Sequence, residues 1–509
     1  MNGADSVLQA AVGAGVDVCF ANPGTTEVHL LGALDRTPGI RSVLGLFEGV
    51  CTGAADGFAR MSGRPAMTLL HLGPGLANGA ANLHNARKAA SPVVNVVGTH
   101  ANRHLNQDSL LSSDVSGLAQ YFSLFVRETR ASDDAAADFQ LAYAAAVEGR
   151  GVSTVVFPTD VQWGEVTRSQ PHRCREPWAA GFDAGRVEQA ARELAKDNAV
   201  LIVDGAGLSR EGLVAAGRIR AATGCRVFSK RQPARMESGP GVPVIERLGY
   251  FPDAAIAQLT GASTVVLAGL DEPVAIFAYQ GGPSHVIPDE TVVFPAARVT
   301  DDVVGALQAI AEIVDAKGKV AAEPAKPVDN GLSALIADVL PEGAIYVDEA
   351  ITSAPDVFEH AVGRKEFTYL GLTGGSIGIG GPLATGAAVA CGPERPVVNV
   401  QGDGSALYTL QALWTQAREE LNVTTVICAN HRYQILSVEQ QRAGITGVSP
   451  EVEALMDLRS PEIDWVNLSH GFGVPAVRVS PEELPAAMKR AVAEDGPALI
   501  QLDIPAERK

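Results

Sequence analysis

The sequence predicts an α/β protein made of three doubly wound parallel-sheet domains. Short runs rich in Val and Ile show little polar alternation, as strands covered on both faces do. Amphipathic segments separate those runs, the pattern of parallel βαβ units. Two polar, proline-containing stretches divide the 509 residues into blocks of domain size.

The expected strands follow in order. Met67 to Leu72, Pro92 to Val97 and Val152 to Phe157 serve the first block. Val200 to Val203 and Thr264 to Leu267 serve the second, and Val397 to Val400 and Val423 to Cys428 the third. Arg168 to Trp178 and Lys317 to Asp329 read as linkers, giving blocks 1–167, 179–316 and 330–509. The outer two have similar length and texture, as structural duplicates would.

Composition narrows the function classes. Hydrophobic residues make up 46% and charged residues 19%, enough core for a globular protein. A net charge of −18 argues against a nucleic-acid partner, which needs clustered basic residues. No uninterrupted apolar run reaches the ~18 residues of a membrane span. The first residues lack a basic segment followed by an apolar one, so no signal peptide is expected and a cytoplasmic setting is. Cys19, Cys51, Cys174, Cys225, Cys391 and Cys428 form no CxxC pair, which argues against zinc.

Two constellations carry chemistry. Gly402, Asp403, Gly404 and Ser405 follow the strand expected at Pro396 to Gln401 and open a helix, with Leu407, Leu410, Trp414, Ala417 and Leu421 on its buried face. Asn430, in CANHRY, ends the next strand. Asp403 offers Mg²⁺ a hard anionic oxygen and Asn430 a neutral one, while glycines and a helix start suit a diphosphate. Alone, GDGS is a common turn; the helix, the strand and Asn430 make it specific. The second constellation is FEGVCTGAADGFAR, Phe47 to Arg60, which sets Glu48 after an apolar segment. By itself Glu48 also reads as an acid complementing a helix dipole. Gly205-Ala206-Gly207 lacks GxGxxG spacing, because Arg210 holds the sixth position.

Together these motifs resemble the thiamin diphosphate (ThDP) enzymes of the acetolactate synthase and benzoylformate decarboxylase type, over the whole chain. The resemblance implies a pyrimidine-binding, a middle and a diphosphate-binding domain. It implies ThDP and Mg²⁺ as cofactors, with Asp403, Asn430 and the Arg432 carbonyl on the metal. The family's paired asparagines are here Ala429 and Asn430. Gly375, Ser376 and Ile377, in LTGGSIGIGGP, match the segment cradling the cofactor's middle, with Ile377 between its two rings. Thr352, in DEAITS, matches a hydroxyl on the diphosphate. Glu48 matches the acid that activates the pyrimidine of a cofactor held by a neighbouring subunit, so a homodimer or homotetramer is implied. FAD, bound by the middle domain of some relatives, remains open: no specific flavin contact is recognised.

The resemblance is weaker on the substrate side. Thr25, in ANPGTTE, matches a hydroxyl holding the substrate carboxylate, though it also reads as a helix cap. His71 falls where the decarboxylases place a proton-transfer histidine, and equally reads as a core histidine at a strand end. Gln280 stands where those enzymes have a second histidine. Leu436 falls on an apolar wall, and Glu439 where a phenyl-binding aromatic would sit, which argues against an aryl substrate. His100 and His104 read as pocket or surface residues. The expected reaction is decarboxylation of a 2-oxo acid through an enamine, giving an aldehyde or, with an aldehyde or second 2-oxo acid as acceptor, a 2-hydroxyketone. An acetolactate-synthase-type ligase is the alternative, favoured by the GPG segment at Gly73 to Gly75. A ThDP-binding subunit or sensor with little catalysis is the reading from another class.

Overall fold

The structure, a computed structural model, describes residues 1–167, 180–316 and 331–504. Both expected linkers lie outside the described residues. The first sheet holds β1 (Val18–Asn22), β2 (Arg41–Leu44), β3 (Ala66–His71), β4 (Val93–Thr99), β5 (Phe125–Glu128) and β6 (Val152–Pro158). Its order is β2-β1-β3-β4-β6-β5, parallel throughout. The second holds β7 (Ala199–Val203) and β8 (Arg226–Ser229); β9 (Met236–Ser238) leaves it; β10 (Glu246–Arg247), β11 (Thr264–Ala268) and β12 (Val292–Ala297) complete it. Its order is β10-β8-β7-β11-β12, again parallel. The third holds β13 (Ala344–Glu349), β14 (Phe367–Gly371), β15 (Val397–Gly402), β16 (Val423–Ala429), β17 (Ala476–Val479) and β18 (Ala498–Asp503). It runs β17-β18-β16-β15-β13-β14-β9, and β9 pairs antiparallel with β14.

All seven expected strands form, within two residues of their expected ends. Six strands with helices over both faces are buried along their whole length, namely β4, β6, β7, β11, β14 and β16. The edge strands β2, β5, β12 and β17 are partly exposed, as one-sided cover requires.

The helix Glu48–Ser62 is buried over nearly its whole length and packs on the helix Gly380–Cys391. Glycines set that approach. A Cβ on Gly57 would sit 2.1 Å from the Leu383 carbonyl oxygen, and one on Gly386 would sit 1.9 Å from that of Ala54. The DGFAR end of the motif is an ion pair: the Arg60 guanidinium donates to Asp56 at 2.8 and 2.5 Å, both side chains buried. Arg60 also donates to the Gly371 carbonyl at 2.7 Å and Ser91 to Asp56 at 2.5 Å, so the pair joins the first and third sheets and leaves neither charge unpaired.

The helix expected after GDGS is broken in two, Asp403–Ala406 and Ala412–Arg418. Leu407, Leu410 and Ala417 pack partly buried on the core, but Ala412, Leu413, Thr415 and Gln416 are the buried residues of the second piece. Apolar periodicity misses this face because Gln416 is buried for its amide, which donates to the Gly381 carbonyl at 3.2 Å and to Thr385 Oγ at 3.0 Å.

Candidate active site

In an open parallel sheet, ligands bind where strand order reverses, outside the carboxyl ends of the two diverging strands. In the third sheet that point lies between β13 and β15, so it is flanked by the Ala350–Ser353 turn and by Gly402–Ser405. Asp403 is buried there. Its Oδ1 accepts the Gly404 N–H at 2.8 Å and its Oδ2 the His431 N–H at 2.6 Å. Burial pushes its carboxyl pKa up, against those two donors. Asn430 Oδ1 accepts the Arg432 N–H at 3.0 Å, and its Nδ2 reaches Ser353 Oγ at 3.4 Å. His431, between them, takes φ +54, and Ile351, in the facing turn, takes φ +53. Non-glycine residues held in that region signal local strain, here one at each of the two strand ends. The Arg432 side chain turns away to Ser437 and to Glu453, 2.6 Å distant, leaving its carbonyl on the loop.

These donors fit Mg²⁺: one carboxylate, one amide oxygen and one carbonyl leave the rest of an octahedron to phosphate oxygens and water. Among the described residues no group of three His, Cys, Asp or Glu side chains is placed to hold a metal.

A cavity of about 890 Å³ opens beside this turn. Thr352, Gly375, Ile377, Asn430, Leu436 and Glu439 line it. The glycine-rich loop is clamped from two sides. Asn85 donates to the Ser376 carbonyl at 2.8 Å and accepts from the Ser376 N–H at 3.3 Å. Glu349 accepts from the backbone N–H of Gly378, from that of Gly380 at 2.6 Å and from Gln401 at 2.6 Å. Burial raises the Glu349 pKa to about 7. The sequence reading passed over Glu349; its signal was an acid at the last position of a strand facing the switch point. Gln280 is exposed and off the cavity wall, while its neighbour Tyr279 donates to Glu439.

The first sheet reverses between β1 and β3, which brings ANPGTTE and His71 together. His71 Nδ1 lies 2.8 Å from Oε2 of the buried Glu27 and 3.1 Å from Thr26 Oγ1. Thr26 in turn donates to Glu27 at 2.5 Å. With Nδ1 engaged by Glu27 and Thr26, Nε2 is the ring nitrogen left for chemistry. Gly24 is required here: a Cβ would lie 2.4 Å from the imidazole. Leu72, just beyond, takes φ +53. Thr25 is exposed on the same turn. Thr26 and Glu27 escaped the sequence reading, since TTE reads as a capping pattern and Gly24 N–H does donate to Glu27 at 2.8 Å.

Glu48 is the first residue of its helix and is buried, with Asn78 donating to its Oε2 at 3.0 Å. His100 and His104 stack edge to face at 5.4 Å, with His104 exposed. No residue of 1–167, Glu48, His71 and Thr25 included, lines the 890 Å³ cavity. A second cavity of about 640 Å³ marks the reversal in the middle sheet, beside Asp204, Gly205, Lys230 and Gly269.

Known proteins match these halves. Residues 1–118 match the thiamine pyrophosphate enzyme N-terminal TPP binding domain, and 357–502 its C-terminal TPP binding domain. A Mycobacterium tuberculosis protein assigned as acetolactate synthase large subunit IlvX is 45% identical over 99% of both chains. Benzoylformate decarboxylase of Pseudomonas aeruginosa is 28% identical over 96% of both. The same fold is seen in the 4-hydroxybenzoylformate decarboxylase of Rhodococcus jostii RHA1, with TM-score 0.84, 24% identity and full coverage of both chains. With both cofactor-binding halves matched and near-complete coverage of a relative at 45% identity, the chain belongs to the thiamine pyrophosphate-dependent enzymes.

Proposed function

We propose that the protein is a ThDP- and Mg²⁺-dependent 2-oxo acid decarboxylase and carboligase, releasing an aldehyde or forming a 2-hydroxyketone. The observation that carries this reading is the cavity at the third sheet's reversal, lined by Asn430 and Thr352 and by apolar residues such as Ile377, Leu436 and Phe277. Bound ThDP supplies a nucleophilic carbon for the keto group and a sink for the electron pair left by CO₂. The chain's own groups do the rest. Asp403, Asn430 and the Arg432 carbonyl hold the metal; the Gly402–Ser405 turn and Thr352 meet the diphosphate; Gly375, Ser376 and Ile377 shape the middle of the site. Glu48 holds a proton at the pyrimidine ring. Thr25 orients the substrate carboxylate, and His71 Nε2 moves a proton to or from the reacting carbon.

That no residue of the Glu48 half lines this cavity supports a site shared between subunits, hence at least a homodimer and by family likeness a tetramer. The three sheets support division at 1–167, 179–316 and 330–509. No helix among the described residues is long and apolar enough to cross a membrane. The five cysteines among the described residues are unpaired, which supports a reducing, cytoplasmic setting.

The second reading is an acetolactate-synthase-type ligase, favoured by the Gly73 to Gly75 segment and the 45% identical relative. The test is mass spectrometry of products from a 2-oxo acid panel, run with ThDP and Mg²⁺, with and without an aldehyde or second 2-oxo acid. Aldehyde without acceptor supports decarboxylation. Product only with a second 2-oxo acid supports the ligase. Turnover of no member removes both and leaves a cofactor-binding subunit.

A further inference from the structure

Part of the wall of the 890 Å³ cavity is built by two separate parts of the chain. The helix Gln434–Arg442 contributes Leu436, Val438 and Glu439; the middle segment contributes Phe251, Ile276 and Phe277. Three of these are large apolar residues left open to solvent: Leu436 at 46%, Ile276 at 47% and Phe277 at 53% exposure. Exposed apolar groups gathered around one cavity mark a place for an apolar ligand. The aromatic surface that position 439 does not supply thus comes from the middle segment.

Glu439 interrupts this wall. The Tyr279 hydroxyl donates to both of its oxygens, at 3.2 and 3.1 Å. A carboxylate has about four acceptor sites, so one shared hydroxyl leaves it able to accept again. Burial and then the Glu439 charge push the Tyr250 hydroxyl pKa up, which places that negative charge against the cavity rim. The guanidinium of Arg442 lies 4.0 Å from the Phe251 ring and 5.0 Å from that of Tyr279. It donates to Asp253 at 2.6 Å, an ion pair that balances its charge and leaves the rings it covers as an apolar surface beside the carboxylate. The ligand end that fits is therefore a neutral donor.

We propose that Glu439 is a specificity-determining residue, and that the substrate is a 2-oxo acid with a bulky apolar side chain ending in a hydroxyl, which donates to the Glu439 carboxylate. The proposal rests on the 2-oxo acid reading given above. It explains why a carboxylate stands in an otherwise apolar wall and why a middle-segment tyrosine reaches across to hold it.

The test compares phenylpyruvate with 4-hydroxyphenylpyruvate, which differ by one hydroxyl, on the enzyme loaded with ThDP and Mg²⁺. The wild type should favour the hydroxylated acid by about 10-fold or more in kcat/KM, because a site built to receive a hydroxyl discriminates against its absence. Glu439→Leu should bring the ratio to about 1 or invert it, and the isosteric Glu439→Gln should lower it in the same direction. A carboxylate that only fastens the helix to the middle segment would change both substrates equally and leave the ratio untouched, overturning the proposal. So would a preference for 2-oxo-5-guanidinopentanoate, the cationic probe, over 4-hydroxyphenylpyruvate. Calorimetry with the acyl-phosphonate analogues of the phenyl pair reads the same ratio without turnover. If no acid is turned over, the decarboxylase reading fails, yet a hydroxyl preference in binding that Glu439→Leu abolishes still supports this assignment, and its absence still defeats it.

Discussion

His71 is tied through Nδ1 to Glu27, a carboxylate with no solvent exposure, at 2.8 Å. The contact fixes the ring's orientation. Glu27→Gln keeps the shape but removes the charge that stabilises the imidazolium. Its kcat should fall by roughly 10- to 100-fold, the scale of a proton-transfer group out of register. Rate profiles of both proteins, with circular dichroism as a folding control, check this.

Asp403 carries the one charge among the three proposed metal donors. Asp403→Ala should lower ThDP affinity by two orders of magnitude or more at fixed Mg²⁺, in line with loss of a ligand and its supporting contacts. Calorimetric titration of ThDP, with and without chelator, reads the result. Equal affinity for both proteins would place the metal elsewhere.

The proposed sharing of the site between subunits is open to a complementation test. Glu48→Gln and Asp403→Ala should each be inactive alone. Mixed and allowed to exchange, they should regain up to about a quarter to a half of wild-type sites, since some hybrid sites draw both halves from intact chains. Exchange proven by mass spectrometry with no activity regained would confine the site to one chain.

Gly57 lies where a Cβ would be 2.1 Å from the backbone of Leu383. Backbone cannot swing aside as a side-chain tip can. Gly57→Ala should therefore cost at least 1–3 kcal/mol through forced separation of the two helices, read as a lower Tm or urea midpoint. Gly13→Ala, with nothing within 4 Å of its Cβ, is the control that should change little.

Glu349 gives stability a pH dependence. Its carboxyl titrates near 4.5 when free and near 7 in the fold, because burial disfavours its charge. The folded state binds more protons between those values, so stability falls as pH rises through that window. The cost is absent below about pH 4.5 and complete above about pH 7, where it is roughly 3 kcal/mol. Glu349→Gln should gain relative to wild type as pH climbs from 4.5 to 7, measured as the difference in urea midpoints. A constant difference across that range would mean the acid ionises normally.

The central strands were legible because two-sided burial leaves a plain signature: unbroken Val, Ile and Leu, as at Val423 to Cys428. The edge strands Phe125–Glu128 and Ala476–Val479 were not, since half-exposed residues such as Arg127 and Arg478 break that signature. Asp403, Asn430 and Glu48 could be read because their chemistry sits in short motifs. Glu27, Glu349 and Tyr279 could not, because their partners lie 44, 29 and 160 residues away. Only folding brings such pairs together. The position of Leu436 on the cavity wall was legible; the aromatic wall from Phe251 and Phe277 was not, since nothing local links residues 251 and 277 to residue 436.

Met236–Ser238 joins the third sheet from the far side of a segment that otherwise builds the second, pairing antiparallel along Phe367, Thr368 and Tyr369. That stitch makes the two parts poor candidates for independent modules. A fragment starting after residue 330 would bare the β14 edge, a row of unpaired backbone groups flanked by Phe367, Tyr369 and Leu370. Such an edge invites pairing with another copy. The same stitch carries Arg235, whose guanidinium donates to the Arg60 and Met61 carbonyls, at 3.0 and 3.2 Å. A graft exchanging the middle segment for that of a distant relative would have to bring this one short strand and its neighbouring arginine with it, or else leave two other domains without a brace.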